Sequence, residues 1–158
     1  LRQRMRVIVG GTFSPLHDGH RKLLGRSFEL AGKDGIVTIG LTTDTFGGRK
    51  SHPVFPYEER KRRLIDFIHE AGFSGTWKIE ELSDQYGSAI SADFDALMVS
   101  EETFPVALEI NKIRREQGLK KVDIHQITCV LAEDGRWISS TRIHRGEIDD
   151  QGHLLQET

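Results

Sequence analysis

The chain has 158 residues, with 22 Lys and Arg against 24 Asp and Glu for a formal charge of −2, a length that suits one folded domain with a real core. Its 37% hydrophobic and 29% charged residues fit neither a membrane protein nor a disordered chain, and no apolar run approaches the roughly 20 residues that span a bilayer. Near-balanced charge argues against broad capture of nucleic acid, so anion chemistry has to be sought in particular loops.

Leu1 to Arg4 read as a frayed basic lead-in. Met5 to Val9 forms a β-prone run that Gly10-Gly11-Thr12 interrupts, and Asp18 to Ala31 follows as a helix with Leu24, Phe28 and Ala31 on one face. Gly35 to Leu41 predicts a second strand. After it come a loop from Asp44 to Pro56 and a helix whose stripe is Tyr57, Lys61, Leu64, Ile68 and Ala71. Pairs Glu58/Arg62 and Glu59/Arg63 sit at i,i+4 on that helix. Further strands are expected near Trp77 to Leu82, at Ala96 to Val99 and at Ile124 to Leu131, with a helix over Phe104 to Gln117. Ser139-Ser140-Thr141 then offers caps for a C-terminal helix. Strands alternating with helices in this way indicate an α/β fold around a mostly parallel sheet.

The strongest local feature is GGTFSPLHDGH, residues 10–20, between the first strand and the first helix. Backbone amides and the helix dipole bind phosphate at such a position, and glycine allows close backbone approach. His17 and His20 are three residues apart, so helical geometry brings both imidazoles to one side, where two donors can hold phosphoryl oxygens. The bland reading is a glycine-shaped turn with histidines that cap the helix. The segment has no Gly-Lys-Ser/Thr ending and no Gly-x-Gly-x-x-Gly, which disfavours a P-loop and a hydride carrier.

A second anion candidate is Ile138-Ser139-Ser140-Thr141-Arg142, whose hydroxyls and amides start a helix while Arg142 offers a planar fork. Strand ends of a parallel sheet converge on one crevice, so the two segments can meet there. Arg49 and Lys50 can approach from another side. Ser100 to Thr103 reads as a helix cap that leaves a carboxylate to spare, and Asp44 and Asp93 are candidates for organising hydrated magnesium. Cys129 reads as a core residue inside a strand, and as the sole cysteine it rules out an intrachain disulfide and fits a reducing cytoplasm.

GGTFSPLHDGH and ISSTR together resemble the two signatures of the histidine-x-glycine-histidine nucleotidyltransferase superfamily. GLTTDTF, RKSHPVFPYEERKRRL, VSEETFPVALEINKIRREQGL and ISSTRI are more closely similar to archaeal-type phosphopantetheine adenylyltransferase, which is related to the equivalent domain of eukaryotic coenzyme A synthase. The resemblance implies a single Rossmann-like nucleotidyltransferase domain over 1–158, acting in coenzyme A biosynthesis in the cytoplasm. The implied reaction moves AMP from ATP to 4'-phosphopantetheine, giving dephospho-coenzyme A and pyrophosphate, with Mg2+ accompanying the nucleotide and no protein side chain assigned as its direct ligand.

Carried onto this chain, the resemblance assigns nucleotide binding to Gly10, Gly11, Thr12, Phe13, His17, His20, Ser139, Ser140, Thr141 and Arg142. It gives acceptor binding to Thr12, Arg49 and Lys50, and catalysis to Thr12, His17, His20, Arg142 and Lys50. Ser14 stands where related sequences often carry an acid. Two rivals share the signatures: transfer of an adenylyl or cytidylyl group to another phosphate acceptor such as nicotinamide mononucleotide, flavin mononucleotide or glycerol phosphate, and a noncatalytic nucleotide-binding regulatory domain. An aminoacyl-tRNA synthetase fragment is disfavoured, because the chain shows no further tRNA-binding segment.

Overall fold

The computed structural model describes residues 4–47 and 53–155. Five parallel strands, β1 (Arg6–Gly11), β2 (Ile36–Thr42), β3 (Thr76–Leu82), β4 (Ala96–Val99) and β5 (Asp123–Gln126), form one sheet in the order β3-β2-β1-β4-β5. The helices are α1 (Asp18–Ala31), the short α2 (Asp44–Gly47), α3 (Tyr57–Ala71), α4 (Phe104–Glu116) and α5 (Ser140–His144), with a 3-10 turn at Gly87–Ile90.

The central strands carry apolar residues on both faces, as a parallel sheet covered on both sides requires. Val7, Val9, Val37, Ile39 and Leu41 face one way and pack with Leu24 and Phe28 of α1 and Leu64 and Ile68 of α3. Ile8, Leu97 and Val99 face the other way, against Ala107 and Ile110 of α4 and Ala89 of the 3-10 turn. On this second face β1 and β2 place Gly10 and Gly40 side by side in register. Their missing side chains leave a hollow above the sheet, and Leu82 forms one wall of it, within 3.3 Å of where a Gly10 methyl would sit.

The chain winds outward from β1 to β2 and β3, then returns to β4 on the other side of β1. That reversal opens a crevice at the carboxyl ends of β1 and β4, where open α/β sheets bind ligands.

The structure corrects several of these expectations. The last strand stops at Gln126 instead of reaching Leu131, and Leu131 pairs antiparallel with Trp137 in a separate hairpin. Cys129 therefore sits in a half-buried connection outside any strand. Asp44 to Pro56 was expected to be all loop, yet it opens with α2. Of the expected charge pairs, Glu59–Arg63 forms at 2.8 Å, whereas Arg62 turns to Glu59 at 2.7 Å and to Asp66 at 3.6 Å.

Candidate active site

Two cavities open at the crevice. The first, about 270 Å³, is lined by the glycine loop, His17, His20, Glu102, Cys129 and Ser139 to Thr141. The second, about 360 Å³, lies over Gly10 and Gly40 on the α4 face and is walled by Leu82, Tyr86, Leu97, Val99 and Ile110. Gly10, Gly11, Thr12 and Thr103 border both, so the cavities meet at the end of β1.

The two signature segments thus come to one cleft, as the sequence led us to expect. A small third core of Ala132, Ile138 and Ile148 holds the second segment in shape. Two contacts draw its C-terminal neighbour onto the start of α1: the Asp18 amide donates to the Asp150 carbonyl at 2.9 Å, and Arg21 reaches the Asp150 carboxylate at 2.6 Å.

His17 is both a cap and a cleft residue. It occupies the N-cap of α1, and its Nδ1 accepts from the amides of Gly19 (3.0 Å) and His20 (3.4 Å). In return His20 Nδ1 accepts from the His17 amide at 3.3 Å. A backbone amide only donates, so each Nδ1 is unprotonated and each ring carries its proton on Nε2. Burial and the nearby Arg21 push the His17 pKa down to about 4, so the ring is neutral at physiological pH. The site therefore offers a pair of neutral Nε2–H donors, with the N-terminal amides of α1 and its positive dipole end beside them.

The glycine loop is anchored from below by a residue that the sequence does not single out. Arg60 is fully buried. Its Nε donates to the Phe55 carbonyl at 2.6 Å, Nη1 to the Thr12 carbonyl at 3.1 Å and to Thr42 Oγ1 at 3.2 Å, and Nη2 to Asp44 Oδ1 at 3.1 Å. Thr42 Oγ1 in turn donates to Thr12 Oγ1 at 3.0 Å, and Ser14 Oγ accepts the Phe55 amide at 3.0 Å. Asp44, weighed as a magnesium organiser, is thus committed to Arg60 and to the Tyr57 amide at 2.8 Å. Asp93 sits at the opposite end of β1, 3.9 Å from Arg6.

In the second segment Ser139 caps α5, its Oγ accepting from the Arg142 amide at 3.2 Å. Arg142 is buried, and its guanidinium does not border the histidine cleft. It donates to the Trp137 carbonyl at 3.0 Å, binds the Asp134 carboxylate through Nη2, and lines a neighbouring hollow with Glu102 and Trp137. Arg142 and then Arg136 hold the Asp134 carboxyl at a pKa of about 2. Thr103, expected as a side-chain cap for α4, makes no cap bond there and instead accepts from the Ser100 amide at 3.0 Å. Glu102, in the segment expected to leave a carboxylate to spare, borders the cleft, and so does Cys129, which the sequence placed in the core. Arg49 and Lys50 lie outside the described residues.

A paired-histidine helix start and a serine-threonine helix start at the switch point of a parallel sheet define the nucleotidyltransferase class of enzyme. Residues 8–146 match the cytidylyltransferase-like family. Phosphopantetheine adenylyltransferases from Methanosarcina barkeri and Methanosarcina acetivorans are 50% and 46% identical to it. Those alignments cover 94% and 97% of this chain and 92% and 97% of the relatives. The crystal structure of a protein of unknown function from Archaeoglobus fulgidus superposes with a TM-score of 0.71 at 36% identity, over 78% of this chain and 89% of that one. The chain belongs to the phosphopantetheine adenylyltransferase family.

Proposed function

We propose that the chain transfers AMP from ATP to 4'-phosphopantetheine, producing dephospho-coenzyme A and pyrophosphate. The observation that carries this reading is the junction of the two cavities at Gly10 to Thr12. A triphosphate suits the polar cleft of histidines and helix starts. An acceptor with a phosphate head and a long, weakly polar arm suits the second hollow, its head at the junction and its arm against Leu97, Val99 and Ile110.

The acceptor phosphate is already an anion and needs no protein base. One of its oxygens attacks the α-phosphorus of ATP and forms a new P–O bond. The bond from that phosphorus to the bridging oxygen breaks, and pyrophosphate leaves with the electron pair. The chain's part is to hold two mutually repelling anions in line and to meet the charge that moves toward pyrophosphate. His17 and His20 supply Nε2–H donors of fixed tautomer, and the amides at the starts of α1 and α5 supply fixed dipoles. Lys50, with Arg49, is our assignment for the acceptor phosphate on sequence grounds.

Among the described residues no three His, Cys, Asp or Glu converge on a metal position. Mg2+ is our assignment from the family resemblance, arriving with the nucleotide, with no protein side chain named as its direct ligand. When bound, it would reduce phosphate repulsion. No helix among the described residues is long and apolar enough to cross a membrane, and the free thiol of Cys129 suits a reducing cytoplasm.

The test is incubation with ATP, Mg2+ and 4'-phosphopantetheine, followed by identification of both products. Dephospho-coenzyme A and pyrophosphate in equal amounts support the reading. Turnover only with CTP, or only with nicotinamide mononucleotide, flavin mononucleotide or glycerol phosphate, would overturn it.

A further inference from the structure

Thr42 is buried at the end of β2, paired in the sheet with Leu82 of β3, and its hydroxyl reaches the glycine loop at Thr12. The hydrogen bonds around it have a direction that the chemistry of their donors enforces. A guanidinium has donors and no acceptor, so at the 3.2 Å contact with Arg60 Nη1 the Thr42 oxygen accepts. With that lone pair occupied, Thr42 turns its single proton to Thr12 Oγ1 at 3.0 Å. Thr12 Oγ1 therefore accepts as well, and its own proton has to point elsewhere. Among the described residues no protein group receives that proton, and Thr12 borders both cavities where they meet.

We infer that Arg60 and Thr42 are positioning residues that fix the polarity of the Thr12 hydroxyl, aiming its proton at a phosphate oxygen at the junction of the two cavities. This inference rests on the reading of that junction as the meeting point of ATP and a phosphorylated acceptor. A hydroxyl free to rotate can present lone pairs to an anion as readily as its proton. One whose lone pair is already filled from behind is a preorganised donor and needs no reorientation as charge develops. The relay starts from a guanidinium that water does not reach, so its direction is not averaged by solvent. Arg60 also donates to the Thr12 carbonyl at 3.1 Å, so one side chain fixes both the backbone and the hydroxyl polarity of the residue at the junction.

The experiment compares Thr42→Val, which keeps the shape and removes the hydroxyl, with Thr42→Ser, which keeps the hydroxyl, in pyrophosphate release with ATP, Mg2+ and 4'-phosphopantetheine. Thr42→Val leaves Arg60 Nη1 the Thr12 carbonyl as acceptor and so orphans no charge. Should its circular dichroism depart from that of the parent, Thr42→Ala takes its place. The expected result is a fall in kcat of about tenfold or more for Thr42→Val, with KM for ATP within about twofold and Thr42→Ser near the parent rate. Because Thr42 acts through Thr12, adding Thr42→Val to Thr12→Ala should slow the enzyme no further. Parent-like kcat in folded Thr42→Val, or additive losses in the double variant, would overturn the relay while leaving the reaction assignment intact. A parent enzyme that forms no dephospho-coenzyme A would overturn the assignment and the relay built on it.

Discussion

The imidazoles of His17 and His20 lie face to face, with centroids 3.7 Å apart and planes 19° from parallel, while each Nδ1 accepts an amide at the start of α1. Neutral rings can stack this closely; two imidazolium ions would repel. The pair therefore acts as one unit, and its members should respond differently to truncation. His20→Ala is expected to keep the circular-dichroism spectrum and lose roughly 10²- to 10³-fold in kcat, the usual cost of one lost donor to developing charge. His17→Ala should lose comparable activity and also about 1 kcal/mol of stability, because it removes the N-cap of a 14-residue helix. Paired steady-state kinetics and urea unfolding of the two variants check this.

The glycine between the histidines is required by space. A methyl group at Gly19 would lie 2.8 Å from His17 Cε1 and 3.0 Å from its Nδ1, closer than carbon atoms can approach. Helix propensity alone would favour Gly19→Ala by about 1 kcal/mol. The expected outcome runs the other way: the ring moves off the Gly19 amide, the cap is lost, the melting temperature falls, and misplacement of the donor lowers kcat by about tenfold or more. A rise in melting temperature with full activity would show that the ring tolerates the methyl.

The depressed His17 pKa fixes the sign of a pH effect. The unfolded chain protonates this histidine near 6.5 and the folded chain only near 4. Between those values the unfolded state binds more protons, so stability falls as pH drops from 6.5 toward 4, by about 3 kcal/mol in total, and the effect levels off below 4. Denaturant unfolding from pH 7.5 to 3.5 should show this loss in the parent. The parent-minus-variant difference for His17→Gln isolates it from other titrating groups, and a difference independent of pH would contradict a buried neutral imidazole.

The parallel sheet, α1 and α3 were legible because their signals are local: periodic apolar residues, a glycine loop and a dense first turn. The limits of α1 agree with expectation to the residue, and the stripe expected for α3 falls within Tyr57–Ala71. What sequence could not reveal depends on which partner a side chain finds after folding. Arg60 sits among Glu58, Glu59, Lys61, Arg62 and Arg63 in a run that reads as a solvated face, yet it points inward and meets the nearby Phe55 carbonyl and, from two distant segments, the Thr12 carbonyl, the Thr42 hydroxyl and the Asp44 carboxylate. Arg142 belongs to the second signature, yet its charge is met by Asp134, eight residues earlier. Cys129 looked like part of a strand because apolar residues flank it, but β5 ends once its neighbour β4 ends, since a strand needs a partner to extend.

The Arg142 geometry carries its own expectation. Asp134, the Trp137 carbonyl and Arg142 brace the hairpin that leads into Ser139 and α5, so Arg142→Ala should weaken nucleotide binding by loosening this brace. Asp134→Ala should reproduce most of that loss, and the double variant should add little, because both changes remove the same interaction. Isothermal titration with ATP reads the effect. Arg142→Lys should rescue poorly, because an ammonium cannot span the carboxylate and the carbonyl as a planar fork does.

Arg114 braces the other cavity in the same way. It is buried near the C-terminus of α4, and among the described residues its hydrogen-bond partners are carbonyls: Lys120 at 2.7 Å through Nε, and Ala89 at 2.9 Å and Ala92 at 2.7 Å through Nη1. Its position in the last helical turn suits a cation, and the carbonyls of Ala89 and Ala92 fix the 3-10 turn whose Ala89, with the preceding Tyr86, walls the apolar hollow. Arg114→Met fills a similar volume but leaves three carbonyls without this donor, at about 1–3 kcal/mol for each that stays buried. The hollow's wall should loosen while the histidine cleft across the sheet stays intact. KM for 4'-phosphopantetheine is therefore expected to rise severalfold with KM for ATP nearly unchanged, alongside a clear drop in melting temperature. Equal changes in both KM values would mean that the 3-10 turn serves the fold as a whole rather than the acceptor side.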